Sequence, residues 1–207
     1  NDGDYVNGID QQYNVIKNKT NLGVCKSKNK ALSELLKHND YIFLIEDDML
    51  LEGNVFEKYI EAYKKTGIHH FSFAYHGDYK ITLNRHSVGA FSFFTQESLL
   101  KTGLFDEKYS EFNNAFDHVD HSYRLAEKGY STPYWWWADI YESWKYIKEQ
   151  GDADENSTIR NNPEWVDNVR NASKYFQVKH GYLPAWNDCV PMKPLDDVIE
   201  FLKRMKQ

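Results

Sequence analysis

The chain has 207 residues, 25 Lys+Arg against 31 Asp+Glu, and a formal net charge of −6, with 41% hydrophobic and 27% charged residues. That balance excludes an intrinsically disordered chain and allows one substantial core without disulfide staples. It also argues against a nucleic-acid binder that works by non-specific neutralisation of phosphates. The two cysteines, Cys25 and Cys189, match no zinc spacing. They point to a reducing, cytoplasmic setting. No apolar run approaches the 18 residues of a membrane span. Association with a membrane through another segment or partner stays open.

In chain order, residues 1–21 are polar and Asn-rich, with a short apolar pulse at Tyr13, Val15 and Ile16, and Asn21-Leu22-Gly23 reads as a turn. From Val24 to Lys37, Ala31, Leu32, Leu35 and Leu36 recur three or four apart, which predicts a helix with one apolar stripe. Tyr41 to Ile45 is five apolar residues without alternation, the pattern of an interior strand buried on both faces. A second helix is expected after Gly53-Asn54, with Val55, Phe56, Tyr59, Ile60 and Tyr63 facing inward and Thr66-Gly67 closing it.

Strands are expected at 68–75 and 88–94, then a short helix over 96–102, and a longer one over 116–128 that ends at Gly129. Residues 131–141 hold Trp135, Trp136 and Trp137, as a strand or ordered loop. Residues 148–163 read as a solvated connection, followed by helices over 164–179 and 195–205. The alternation of strand and helix predicts an α/β fold with a mostly parallel sheet flanked by helices. The organisation expected is a main α/β domain over 1–147 and a helical extension over 148–207 packed on it.

Three acids, Glu46, Asp47 and Asp48, follow the most apolar strand. Strand periodicity sends Glu46 and Asp48 to one side and Asp47 to the other. Such a trio is costly unless hydrated, proton-sharing or paired with a cation. One reading is an oxygen-ligand site for Mn²⁺ or Mg²⁺ with Asp48 in contact with the metal; the other is a solvated strand-to-loop transition. Further along, Asp117, Asp120 and Arg124 are spaced so that one helical face holds all three. That spacing equally suits a helix-start carboxylate and an i,i+4 ion pair.

Taken together, these segments resemble the GT-A-type glycosyltransferases of family 2, the inverting, nucleotide-sugar-dependent enzymes. The resemblance spans roughly Asn1 to Tyr130 in ordered blocks. Asn1-Asp2-Gly3-Asp4 is similar to the segment near the nucleotide, and Asn21-Leu22-Gly23-Val24 through Asn29-Lys30-Ala31 to the block that follows. Tyr41–Asp48 is similar to the strand with the acidic D-x-D-type motif, and Gly89-Ala90-Phe91 to the acceptor-side segment. Asp117-His118-Val119-Asp120 with Arg124 is similar to the block that usually reads Glu-Asp-x-Asp, then Arg.

The resemblance implies transfer of a sugar from a nucleoside diphosphate, UDP by preference, to an acceptor hydroxyl of a glycan or small molecule in polysaccharide or glycoconjugate synthesis. The alternative is a non-catalytic nucleotide-sugar or glycan-binding module of the same fold. Asp2, Gly3, Asn21, Gly23, Asn29, Glu46 and Asp47 would line the donor, and Asp48 would hold the metal. Gly89, Ala90, Asp120, Arg124, Trp135 and Trp136 would contact substrate. The base position falls on either Asp117 or His118; a neutral imidazole is competent there. The resemblance also implies that the family's first strands and helix precede residue 1.

Overall fold

The computed structural model describes residues 13–73, 83–84, 90–131, 137–149, 161–181 and 200. Within them lie five helices, α1 (Val24–Leu35), α2 (Val55–Thr66), α3 (Gln96–Thr102), α4 (Asp117–Glu127) and α5 (Trp165–His180). The strands are β1 (Tyr41–Ile45), β2 (Met49–Leu51), β3 (His70–Ser72), β4 (Leu83–Asn84), β5 (Phe91–Thr95), β6 (Trp137–Ala138) and β7 (Ile147–Glu149). Short 3₁₀ segments cover Glu107–Phe112 and Ser143–Lys145.

The described sheets correct the expected architecture. The largest has the order β1-β5-β3, and both of its pairings are antiparallel, with Tyr41 opposite Thr95, Ile45 opposite Phe91 and His70 opposite Phe94. β2 pairs antiparallel with β7 and β4 antiparallel with β6. No described strand pair is parallel, so the mostly parallel GT-A-like sheet is not the one found. The physical reason lies in β5. β1, α2 and β3 do follow one another as strand, helix and strand, and β1 and β3 share a direction because each opposes β5. The strand arriving later in the sequence inserts between them, and apolar periodicity carries no information about strand direction.

Burial explains why β5 takes the middle. All five of its residues, Phe-Ser-Phe-Phe-Thr, are buried, whereas β1 has only Ile42 buried and ends on a 39% exposed Ile45. The expectation of an interior strand is thereby corrected: among the described strands β1 lies at the end of its sheet, although both of its faces are packed, Tyr41 and Phe43 against one core cluster and Ile42 and Leu44 against another. Side chains of β5 alternate between two layers, as strand geometry requires. Phe91 and Phe93 join Val55, Tyr59 and Ala62 of α2 on one face. Phe94 joins Leu32 of α1, Leu99 of α3 and Leu125 of α4 on the other.

A third core cluster docks α5: Ala172 and Phe176 pack with Cys25, Tyr109, Phe116 and Val119. Full burial of a ring such as Phe176 contributes about 1.5–3 kcal/mol, so this contact fixes α5 against α1 and α4. Glu46, Asp47 and Asp48 do not alternate across a strand as expected; they form the turn between β1 and β2. Part of the expected solvated connection is strand, since Ile147–Glu149 forms β7 and straddles residue 147. The predicted helix over 195–205 lies outside the described residues except for Glu200, which is helical.

Candidate functional site

The site begins where α1 starts. Asn21 Oδ1 accepts the Gly23 N–H at 2.9 Å, and Gly23 takes φ 79°, a left-handed value that a Cβ would strain. The first N–H groups of a helix need external acceptors. α1 has no side-chain cap of its own; Asn114, from the segment before α4, accepts the Cys25 N–H at 3.1 Å. Asn113, Asn114 and Phe116 all have positive φ, at 51°, 61° and 67°. Asn tolerates this region, but for a phenylalanine it is costly and needs compensation from the surroundings. The Phe116 ring supplies that compensation by packing against Phe176, with centroids 5.9 Å apart.

This strained turn delivers Asp117 into the protein at the first residue of α4, only 3% exposed. Its Oδ1 accepts two hydrogen bonds from His118, from the backbone N–H at 2.6 Å and from ring Nδ1 at 2.9 Å. Its Oδ2 accepts the Cys25 thiol at 3.5 Å. Burial pushes the Asp117 carboxyl up, but the His118 hydrogen bonds and the Lys28 charge outweigh it and hold the group down at about 2. Asp117 is therefore an anion at neutral pH. Burial, and then the Asp117 charge, push the Cys25 thiol far above the ordinary range. Cys25 consequently stays an S–H donor and is no nucleophile.

An ionised Asp117 bound to Nδ1 selects one imidazole tautomer of His118: Nδ1 carries the proton and Nε2 is left as an acceptor. The His118 side chain is 30% exposed, so the ring is partly open to solvent. Lys28 joins this pair to the end of β1. Its Nζ lies 3.4 Å from Glu46 Oε1 and over the Phe105 ring at 5.6 Å. Glu46, Lys28, Asp117, His118 and Cys25 thus form one continuous polar group spanning three elements.

Asp120, one turn further along α4, is a different object. It is fully buried and accepts from Arg124 Nε at 2.8 Å, Lys179 Nζ at 2.7 Å, His180 Nε2 at 2.8 Å and Tyr109 OH at 3.4 Å. Burial pushes its carboxyl up; the charge of Arg124 and the bonds from Lys179 and His180 more than reverse this. Arg124 also donates to the carbonyls of Thr102 and Leu104. Lys179 and Tyr175 reach Asp106 as well. Asp120 and Arg124 form the i,i+4 pair anticipated from their spacing, inside a network that bolts α5 to α4.

The remaining candidates are dispersed. Asn29 is buried and its amide is engaged by Phe105 N–H, Phe105 carbonyl and Glu107. The buried Ala90 accepts the Glu46 N–H through its carbonyl. Asp47 is exposed in the turn after β1, while Asp48 is half-buried with Oδ1 shielded and lacking a hydrogen-bond partner among the described residues. Asp2, Gly3, Gly89, Trp135 and Trp136 lie outside the described residues. Cys25, Lys28 and Asn114 were missed by sequence reasoning. Only Asn114 carried a signal, because Asn113-Asn114 is a pair tolerant of left-handed backbone.

No family model, curated protein or solved structure matches the chain. Among the described residues no three His, Cys, Asp or Glu side chains group so as to hold a metal ion. With the antiparallel sheets, these findings overturn the resemblance to GT-A family 2 glycosyltransferases. The sugar-transfer function, the glycosyltransferase class and the alternative of a binding module on the same fold rested on that architecture, and they are withdrawn with it.

Proposed function

We propose that the protein works as an acid–base site, in which His118 Nε2 accepts a hydrogen bond from a hydroxyl group of a small polar ligand and is oriented as its general base. The single observation that carries this reading is the 2.9 Å bond from His118 Nδ1 to a buried, ionised Asp117 beneath a partly exposed ring. A carboxylate in that position orients the imidazole, sets its tautomer and stabilises the imidazolium that forms when a proton arrives. Lys28 balances the negative charge, and the strained turn before Asp117 holds the pair in place.

The test is two-bond ¹H–¹⁵N NMR on the histidine rings, followed by titration with neutral mono- and disaccharides and simple polyols. Expected are His118 with its proton on Nδ1, loss of that single tautomer in Asp117→Asn, and a ligand-induced shift at Nε2. A protonated Nε2 with a bare Nδ1, or no response at His118 to any hydroxyl compound, would overturn the reading.

A second reading concerns Asp48. Its shielded Oδ1 without a partner is the kind of oxygen that a hard cation satisfies. Mg²⁺ and Mn²⁺ can be held by one or two carboxylates with water filling the rest of the shell. Manganese should then broaden the amide resonances around Asp48 in the native protein and leave them sharp in Asp48→Asn. Broadening that is absent, or unchanged in the variant, removes this reading.

A further inference from the structure

Between Tyr13 and Ser33 the chain carries five lysines, no arginine and no acid, although the whole protein is net negative. The fold gathers these cations. Asn18 donates to Ser27 Oγ at 3.1 Å and accepts from Lys30 Nζ at 2.7 Å, so the turn holding Lys17 and Lys19 lies against α1. Lys26 and Lys30 follow one another at i,i+4 on that helix, and Lys17, Lys19, Lys26 and Lys30 are all exposed. Lys28 is spent on Glu46 and Lys37 on Glu34. Lys19, Lys26 and Lys30 have no ion-pair partner among the described residues.

We propose that this lysine face is a docking surface for an anionic lipid bilayer. Clusters of four or more basic residues bind acidic headgroups through summed Coulomb attraction that fades within a Debye length. Lysine is a compact, strongly hydrated point charge suited to such a diffuse potential; the planar forks of arginine, which read phosphates and bases bidentately, are absent from the stretch. Tyr13, 67% exposed and four residues ahead of Lys17, supplies an amphipathic ring of the kind that sits at headgroup level. No helix among the described residues is long and apolar enough to cross a membrane.

Co-sedimentation of the full chain with phosphatidylcholine vesicles, with and without phosphatidylserine, tests this. Binding is expected only with phosphatidylserine, weakening as salt rises. Each lysine neutralised should cost roughly fivefold, so Lys19→Glu, Lys26→Glu and Lys30→Glu together should cost at least about a hundredfold. If the triple variant fails to keep the native denaturation midpoint, Lys26→Gln with Lys30→Gln replaces it, with a loss of roughly twentyfold expected. Equal binding to neutral vesicles, undiminished binding by the folded variant, or tighter binding to duplex DNA than to the acidic vesicles at one ionic strength would each overturn the proposal.

Discussion

Asp117 and Asp120 are separated by three residues on α4, both are buried, and both are held below the ordinary carboxylate range, yet they do different work. Asp120 is ringed by Arg124, Lys179 and His180, contributed by two helices, and has no open side. Asp117 has a protonated thiol behind it and one imidazole in front, and that imidazole faces solvent. A carboxylate saturated by cations is a fastening, because moving any partner leaves a buried charge uncompensated. A carboxylate that spends its charge on a single half-open histidine stores the capacity to move a proton. The difference lies in how many elements converge on each side of the helix.

The sharpest way to break the comparison is to remove the fastening. Asp120→Ala should lower the unfolding free energy by about 3–5 kcal/mol, because Arg124, Lys179 and His180 lose their shared partner. Urea denaturation measures this, and a loss below about 1 kcal/mol would show that the network is not what holds α5. The same buried side of α4 should carry the acid lability. His121 donates Nε2–H to the Gly103 carbonyl, and Ser122 donates to Nε2 of His70, whose Nδ1–H reaches the Phe93 carbonyl.

Burial pushes His70 from 6.5 down to about 4, and burial with the Arg124 charge pushes His121 down to about 3. Below pH 6.5 the unfolded chain therefore binds more protons than the native one, and stability falls as pH falls toward 4, by on the order of a few kcal/mol. Asp117, ordinarily near 3.8 and held at about 2, adds a further loss between those values as it is protonated. Chemical denaturation across pH 7 to 3 should show the histidine-driven fall first, and His70→Gln should flatten it.

Smaller changes belong to the open half of the helix. Asp117→Asn should cost about 1–2 kcal/mol in stability and randomise the His118 tautomer. His118→Ala should cost about 1–2 kcal/mol in a thermal melt, since the buried Asp117 carboxylate loses its ring partner but keeps the backbone N–H and the Cys25 thiol, while abolishing any response to hydroxyl ligands. A stability loss in His118→Ala as large as in Asp120→Ala would erase the distinction between the two sites.

Element by element, much of the fold was legible. Of the stripe expected on α2, Val55 and Tyr59 are buried whereas Phe56 is 39% exposed, and Gln96–Thr102 is a helix as its pattern indicated. Asp117 and His118 stood out by chemistry and do meet at the start of α4. Sheet order was not legible, because the aromatic richness of β5 marks it as buried without saying between which neighbours. The partners of the site were equally hidden. Asn114 Oδ1 reaches Cys25 across 89 residues, and Lys28 comes from a helix that was legible only by its apolar stripe. Each of these is a lone residue whose meaning depends on what is brought to it.

By itself, the sequence determined the helices, the apolar runs and the i,i+4 pairing of Asp120 with Arg124, because each of these is set by neighbours within a turn or two. The tertiary structure alone decided that β5 separates β1 from β3, that Asp120 is closed off by α5, and that His118 remains open. Strand direction and the surroundings of a charge depend on which distant segments share a core, and local periodicity carries no record of that.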